Sequence, residues 1–141
     1  MHKRRGILNA IGEQLKSVGY FAVVRNQRFE PQKTAYPAVM FYASGEVVET
    51  LNLHYQPHPQ DRVLTVSVVV LLRAGVDLEK IEHDIDLATY KVETAINDGI
   101  DGVDSVVLES VEFSPDDTDG EISRAVMAYA VGYQTTELDP S

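Results

Sequence analysis

The chain has 141 residues, of which 44% are hydrophobic and 24% charged, and its formal net charge is −10. This length fits one domain with a single core, and the apolar fraction excludes wholesale disorder. The sequence contains no cysteine, which excludes disulfides, thiolate nucleophiles and cysteine-based metal sites. The first twenty residues hold a basic cluster but no uninterrupted apolar run, so we expect neither a signal peptide nor a membrane span, and hence a cytoplasmic protein.

The charge is distributed unevenly along the chain. Residues 1–36 carry seven Lys and Arg against two acids, a net charge of +5, whereas residues 37–141 carry five against twenty, a net charge of −15. A protein with this overall balance is expected to repel nucleic-acid phosphates. The split favours self-complementary or layered assembly of the protein, and chance clustering on a solvated surface is the alternative.

The first half of the chain predicts one helix followed by three strands. Apolar residues at helical spacing predict a helix over residues 4–18 that ends at Gly19, and residues 20–24 form a short strand. PAVMFYASG, residues 37–45, is predicted as a buried strand closed by a Ser-Gly turn, and EVVETLNLHY, residues 46–55, as a half-exposed strand that pairs with it in a hairpin. QPHPQD is not expected to continue a ladder, because each proline removes a backbone donor.

The second half predicts a central strand, a long helix and two further strands. RVLTVSVVVLLR, residues 62–73, is the most strongly patterned strand, and we expect it near the centre of a sheet with one face beneath a helix. Asp77 caps the helix and Gly99 ends it; residues 104–113 and 124–135 are strands. The order predicts an α+β fold, a single mainly antiparallel or mixed β-sheet packed against two α-helices, in one domain over residues 1–141 with a short polar C-terminal tail at 134–141.

The last predicted strand is bulky on one face and thin on the other. The bulky face carries Tyr129, Val131 and Tyr133, and the thin face carries Ala128, Ala130 and Gly132. This pattern lets the bulky side cover the core while something packs closely against the thin side. We expect that packing element to be a helix of the same chain, with a neighbouring subunit as the alternative.

No constellation of residues predicts catalysis. The sequence has no Gly-x-Ser-x-Gly elbow and no phosphate-binding glycine loop. The acids of the second helix are interpreted as a solvated outer face, namely Glu79, Glu82, Asp86 and Glu93. Residues 116–121 lack the ligand spacing of a calcium loop. We therefore expect a protein that is not an enzyme and binds no metal or cofactor; the catalytic alternative is a small metal-dependent or acid–base enzyme using His54, His58 and His83.

Four segments together resemble the phage tail terminator proteins. They are YPAVMFYASGEVVE at 36–49, AGVDLEKIEHDID at 74–86, SPDDTDGEISR at 114–124 and AVMAYAVGYQT at 125–135. The resemblance implies a structural virion protein that forms a homo-oligomeric, hexameric ring. Such a ring caps the tail tube, stops its polymerisation and joins the tail to the head connector, and the genome passes through it without tight binding.

The resemblance also implies partners and contact segments. The partners are further copies of the chain, the major tail tube protein and the head–tail connector, with no membrane; the protein resides at the head-proximal end of the tail and in the host cytoplasm during assembly. The candidate contact residues are Arg25, Arg28, Lys33, His58, Asp61, Asp116, Asp117, Asp119, Glu121, Glu137 and Asp139. A head-closure or neck ring protein, and a non-viral module that binds a peptide at a sheet edge, are the alternatives.

Overall fold

A computed structural model describes residues 3–25, 37–51, 59–73, 78–97, 99–100, 102–115 and 122–136. Two helices and five strands follow along the chain as α1 (Lys3–Ser17), β1 (Ala22–Val24), β2 (Ala38–Thr50), β3 (Pro59–Arg73), α2 (Leu78–Asn97), β4 (Ser105–Pro115) and β5 (Ile122–Thr136). Neither described helix combines the length and apolar character needed to cross a bilayer.

The strands form one mixed sheet in the order β1-β2-β3-β5-β4. β1 pairs with β2 in parallel, and every other pair is antiparallel. β3 therefore lies at the centre, as its apolar pattern predicted. α1 packs on β1 and β2, α2 packs on β3 and β5, and the two helices contact each other. The predicted α+β fold, one mixed sheet packed against two helices, is confirmed.

Both helices are positioned by the apolar stripes that the sequence shows. α1 buries Ile7, Leu8, Ile11 and Leu15, and α2 buries Ala88, Val92, Ala95 and Ile96. Gly19 and Gly99 end the two helices in the left-handed region, with φ of 71° and 111°. Each donates its N–H back to a carbonyl of the last helical turn, at 3.1 Å to Lys16 and 3.2 Å to Ile96. The predicted stop positions are confirmed.

One face of the sheet forms the core beneath the helices, and we call it the covered face. Alternate residues of the two central strands supply it, because successive side chains of a strand point to opposite sides. On β3 these are Leu64, Val66, Val68, Val70 and Leu72; on β5 they are Ala125, Met127, Tyr129, Val131 and Tyr133. The bulky face predicted for the last strand thus packs in the core.

The predicted hairpin between residues 37–45 and 46–55 is wrong. β2 runs without a turn from Ala38 to Thr50 and pairs with β3 throughout, and a β-bulge lies at the predicted Ser-Gly turn, between Ala43 and Gly45. A bulge adds one residue to a strand and so reverses the alternation that follows. Ala43 and Glu46 consequently both point to the covered face, although three positions separate them.

Two strand ends lie outside their predicted bounds. β3 starts at Pro59, inside the QPHPQD segment expected to be irregular, and Asp61 pairs with both Glu49 and Gln134. The first residue of a strand is a position where proline is tolerated. β5 continues to Thr136, so residues 134–136 of the predicted tail belong to the sheet. Residues 137–141 lie outside the described residues.

The expectation that a helix of the same chain covers the thin face of the last strand is wrong. Ala128, Ala130 and Gly132 lie on the side of the sheet opposite to α1 and α2, together with the β3 residues with which they pair. We call this side the open face. A small second cluster occupies one end of this face and consists of Ala38, Met40, Val69 and Leu71. No described helix lies over the remainder.

Candidate assembly surfaces

The structure places two of the predicted contact residues. Arg25 follows β1 directly and is exposed, and its guanidinium donates a hydrogen bond to the Asn9 side chain of α1. Asp61 is partly exposed on β3, where its carboxylate accepts a hydrogen bond of 2.8 Å from Gln134. β2 lies between β1 and β3, so the two residues do not share a site. The other predicted contacts lie outside the described residues, namely Arg28, Lys33, His58, Asp116, Asp117, Asp119, Glu121, Glu137 and Asp139.

A polar cluster that the sequence did not predict fixes the start of α1 to the covered face. Glu46 lies at its centre: one carboxylate oxygen accepts from Arg4 at 2.8 Å and from Arg62 at 3.1 Å, and the other accepts from the Tyr133 hydroxyl. Arg62 also donates to Thr135 at 2.8 Å. The bulge is what brings Glu46 here, so strict alternation along β2 gives no signal for the cluster.

The pKa shifts in the described part of the chain have structural causes. Burial raises the pKa of Tyr133, the hydrogen bond to Glu46 raises it further, and Arg4 offsets part of the shift. Burial, with a smaller contribution from Glu93, raises the pKa of Tyr129 far above its usual range. Glu93 is half-buried rather than on a fully solvated helix face. Both tyrosines belong to the core.

No group of three or more potential metal ligands converges within the described ranges. Of the histidines in the catalytic alternative, His83 is exposed on α2, whereas His54 and His58 lie outside the described residues.

The open face exposes apolar side chains beside small ones. Val47 is 70% exposed, Val107 55% and Val63 41%, and Thr65, Ala130 and Gly132 lie among them. These residues fall in two rows across β2, β3, β5 and β4, which span about 260 Å² at the usual strand spacings. Three exposed valines grouped on one face of the sheet make this area a candidate contact surface. An added Cβ at Gly132 would approach Ser105 Oγ to 2.6 Å, so a larger residue at this position requires the Ser105 hydroxyl to move.

The charge asymmetry of the sequence becomes a sideways asymmetry of the fold. α1 carries four bases against one acid and lies over β1 and β2. α2 carries five acids against two bases and lies over β3 and β5, next to the acidic edge strand β4. One lateral side of the molecule is therefore basic and the opposite side acidic.

No protein-family model matches the chain, and no curated protein matches it in sequence. The fold itself matches a chain in a solved structure described as the virion of native gene transfer agent (GTA) particle. The TM-score is 0.55 at 12% sequence identity, and the match covers 90% of this chain and 93% of that chain. The two chains share a fold over nearly their whole lengths.

Proposed function

We propose that the protein is a structural virion component, a tail terminator that assembles as a homo-oligomeric, hexameric ring on the tail tube. The observation that carries this proposal is the fold shared with a chain of the gene transfer agent virion, which extends over 90% of this chain. The described parts of the four segments that resemble tail terminators lie on β2, on α2, at the end of β4 and the start of β5, and along β5. Ring formation, tube capping and head joining are the specific roles within that proposal.

The described surfaces support such a role physically. A ring requires head-to-tail contacts between two different patches of each copy, and the opposed basic and acidic sides supply two such patches. The exposed valines of the open face give the tail tube protein or the head–tail connector an apolar surface to bury. A net charge of −10 disfavours retention of DNA phosphates in the opening, so the genome passes without tight binding.

The test is assembly of tail tubes from the purified tube subunit with and without this protein, followed by electron microscopy and native mass spectrometry. We expect rings at one tube end and tubes that stop lengthening. Tubes of unchanged length with no bound ring contradict the proposal. A ring that binds the connector but never the tube identifies a head-closure or neck protein instead, and one-to-one binding without rings identifies a sheet-edge binding module.

We also propose that the protein performs no catalysis. Replacing His54, His58 and His83 together by alanine is expected to leave ring formation and tube capping unchanged. Metal analysis of the purified protein checks the same point, since the catalytic alternative requires a bound metal or a working acid–base pair. Stoichiometric bound metal that is lost in the triple variant would contradict the proposal.

A further inference from the structure

Two grooves lie on opposite lateral sides of the covered face. One, of roughly 370 Å³, lies between α2 and the edge strand β4 and is lined by Glu82, Ile85, Asp86 and Phe113. Phe113 is 59% exposed, and no ion pair within the described part of the chain engages the carboxylates of Glu82 or Asp86. We call this the acidic groove. An exposed phenylalanine beside two acids leaves apolar surface and negative charge open to solvent at one edge.

The second groove, of roughly 270 Å³, lies between α1 and the other edge strand, β1. Lys16, Arg25 and Asn9 line it with Glu13, and the aromatic ring of Phe41 forms part of its wall. The Lys16–Glu13 ion pair is long at 3.8 Å, and its side chains are 62% and 78% exposed, so it holds Lys16 weakly. We call this the basic groove.

The two grooves lie level with each other along the strands. Strand pairing aligns one covered-face residue from each strand in a single row, namely Val23, Val39, Val70, Ala125 and Phe113. Phe113 lines the acidic groove at one end of this row, and Val23 lines the basic groove at the other end. A neighbouring copy displaced sideways across the sheet therefore brings one groove opposite the other without sliding along the strands.

We propose that the acidic groove of one copy binds the basic groove of a second copy, and that this contact joins neighbours in the ring. Phe113 is the apolar anchor, and Glu82 and Asp86 face Lys16 and Arg25. Because the two surfaces differ and lie on opposite sides of each copy, the contact is head-to-tail and repeats until a ring closes. This inference rests on the proposed function, since it assigns the contact between copies of that ring.

The test is a charge exchange between the two grooves in the full chain. One variant carries Glu82→Lys with Asp86→Lys, the other carries Lys16→Glu with Arg25→Glu, and each alone places like charges across the contact. We expect each variant by itself to associate at least about tenfold more weakly than the natural protein, because like-charge juxtaposition disfavours binding. An equimolar mixture is expected to form rings again, since every contact in an alternating ring is then oppositely charged.

Sedimentation velocity and native mass spectrometry, with and without the tube subunit, measure the oligomers. The control variant combines Glu49→Lys with Asp104→Lys, which makes the same change in net charge as the variant with Glu82→Lys and Asp86→Lys, at exposed positions outside both grooves, and is expected to assemble normally. Phe113→Ala, without any charge change, is expected to weaken association as well. Recovery in the mixture excludes misfolding as the cause of the losses.

The outcomes separate the contact from the function. If each charge variant alone forms rings as well as the natural protein does, the proposed contact is overturned, but the proposal that the protein forms a ring still stands. Loss in both variants without recovery in the mixture, while the control assembles, also overturns the pairing of these two grooves. A natural protein that forms no ring alone or with tube subunits overturns the proposed function and the contact together.

Discussion

The covered and open faces of the sheet differ at the start of β3, where neighbouring residues have opposite surroundings. Leu64 is 1% exposed beneath the helices, whereas Val63, one position earlier, is 41% exposed on the open face. Both are apolar strand formers, so composition does not distinguish them. The difference shows that this part of β3 supplies the core with one face and leaves apolar side chains exposed on the other.

The same contrast runs along β5. Tyr129 and Tyr133 are each 1% exposed on the covered face, while Ala130 and Gly132 between and beside them keep the open face thin. The two tyrosines differ in turn, because Tyr133 donates to Glu46 and the Tyr129 hydroxyl has no hydrogen-bond partner among the described residues. Two equally buried tyrosines of the covered face are therefore expected to contribute differently to the free energy of unfolding.

The largest expected effect compares Leu64→Ala with Val63→Ala. Leu64→Ala is expected to lower the free energy of unfolding by about 2–5 kcal/mol, because it leaves a cavity in the core. Val63→Ala is expected to cost less than about 1 kcal/mol, since its side chain is already half in water. Urea unfolding at one fixed protein concentration measures both. Equal losses of unfolding free energy would contradict the exposure of Val63 on the open face.

A second comparison uses the two buried tyrosines. Tyr133→Phe removes a hydrogen bond to a charged, nearly buried carboxylate, so we expect it to lower the free energy of unfolding by about 1.5–3 kcal/mol. Tyr129→Phe removes a buried hydroxyl without a described partner, so we expect no loss or a gain of about 1 kcal/mol. Thermal and urea unfolding measure the stability of the two variants. If Tyr129→Phe lowers the free energy of unfolding as much as Tyr133→Phe does, the Tyr129 hydroxyl has a hydrogen-bond partner.

A third comparison uses two glycines of α1. A Cβ at Gly12 would come within 2.9 Å of the buried Phe41 ring, whereas a Cβ at Gly6 meets open space. Gly12→Ala is expected to cost about 1–2 kcal/mol even though alanine favours a helix, because the helix must move off the sheet. Gly6→Ala is expected to gain about 0.5–1 kcal/mol from helix propensity. Melting temperatures shifted in the same direction by both would contradict the close packing.

The smallest effect is confined to high pH. Burial holds the pKa of Tyr129 above that of a tyrosine in the unfolded chain, which ionises near pH 10. The stabilisation from this shift is fully present below about pH 10 and decreases as the pH rises above it, because the unfolded chain loses its proton first. Tyr129→Phe is expected to reduce the decline in unfolding free energy between about pH 10 and 11, measured against values at pH 7. An unchanged slope would contradict the prediction.

One of the predicted contact residues lies in a groove of the structure. The resemblance to tail terminators implies Arg25 as a contact residue, and Arg25 lines the basic groove. Glu82 and Asp86 were interpreted as a solvated helix face, which is their state in one copy of the chain. Phe113 carries no signal of its own, since its position at the end of an edge strand follows from the pairing of β4 with β5.

The sequence by itself determined both helices of this protein, the central strands β3 and β5, and the apolar residues with which these elements pack in the core. The stripes on α1 and α2, the stops at Gly19 and Gly99, and the alternation on β3 and β5 are local periodicities, and they suffice because each depends on residues a few positions apart. The α+β class follows from their order.

The tertiary structure alone decided the relations between these elements. The bulge in β2 that turns Glu46 inward, the choice of the bulky rather than the thin face of β5 for the helices, and the alignment of Val23 with Phe113 all depend on strand register. Register is fixed by contacts between distant parts of the chain, such as Tyr133 with Glu46 at a separation of 87 residues. A shift of one residue would exchange the two faces, and no local pattern specifies which register is adopted.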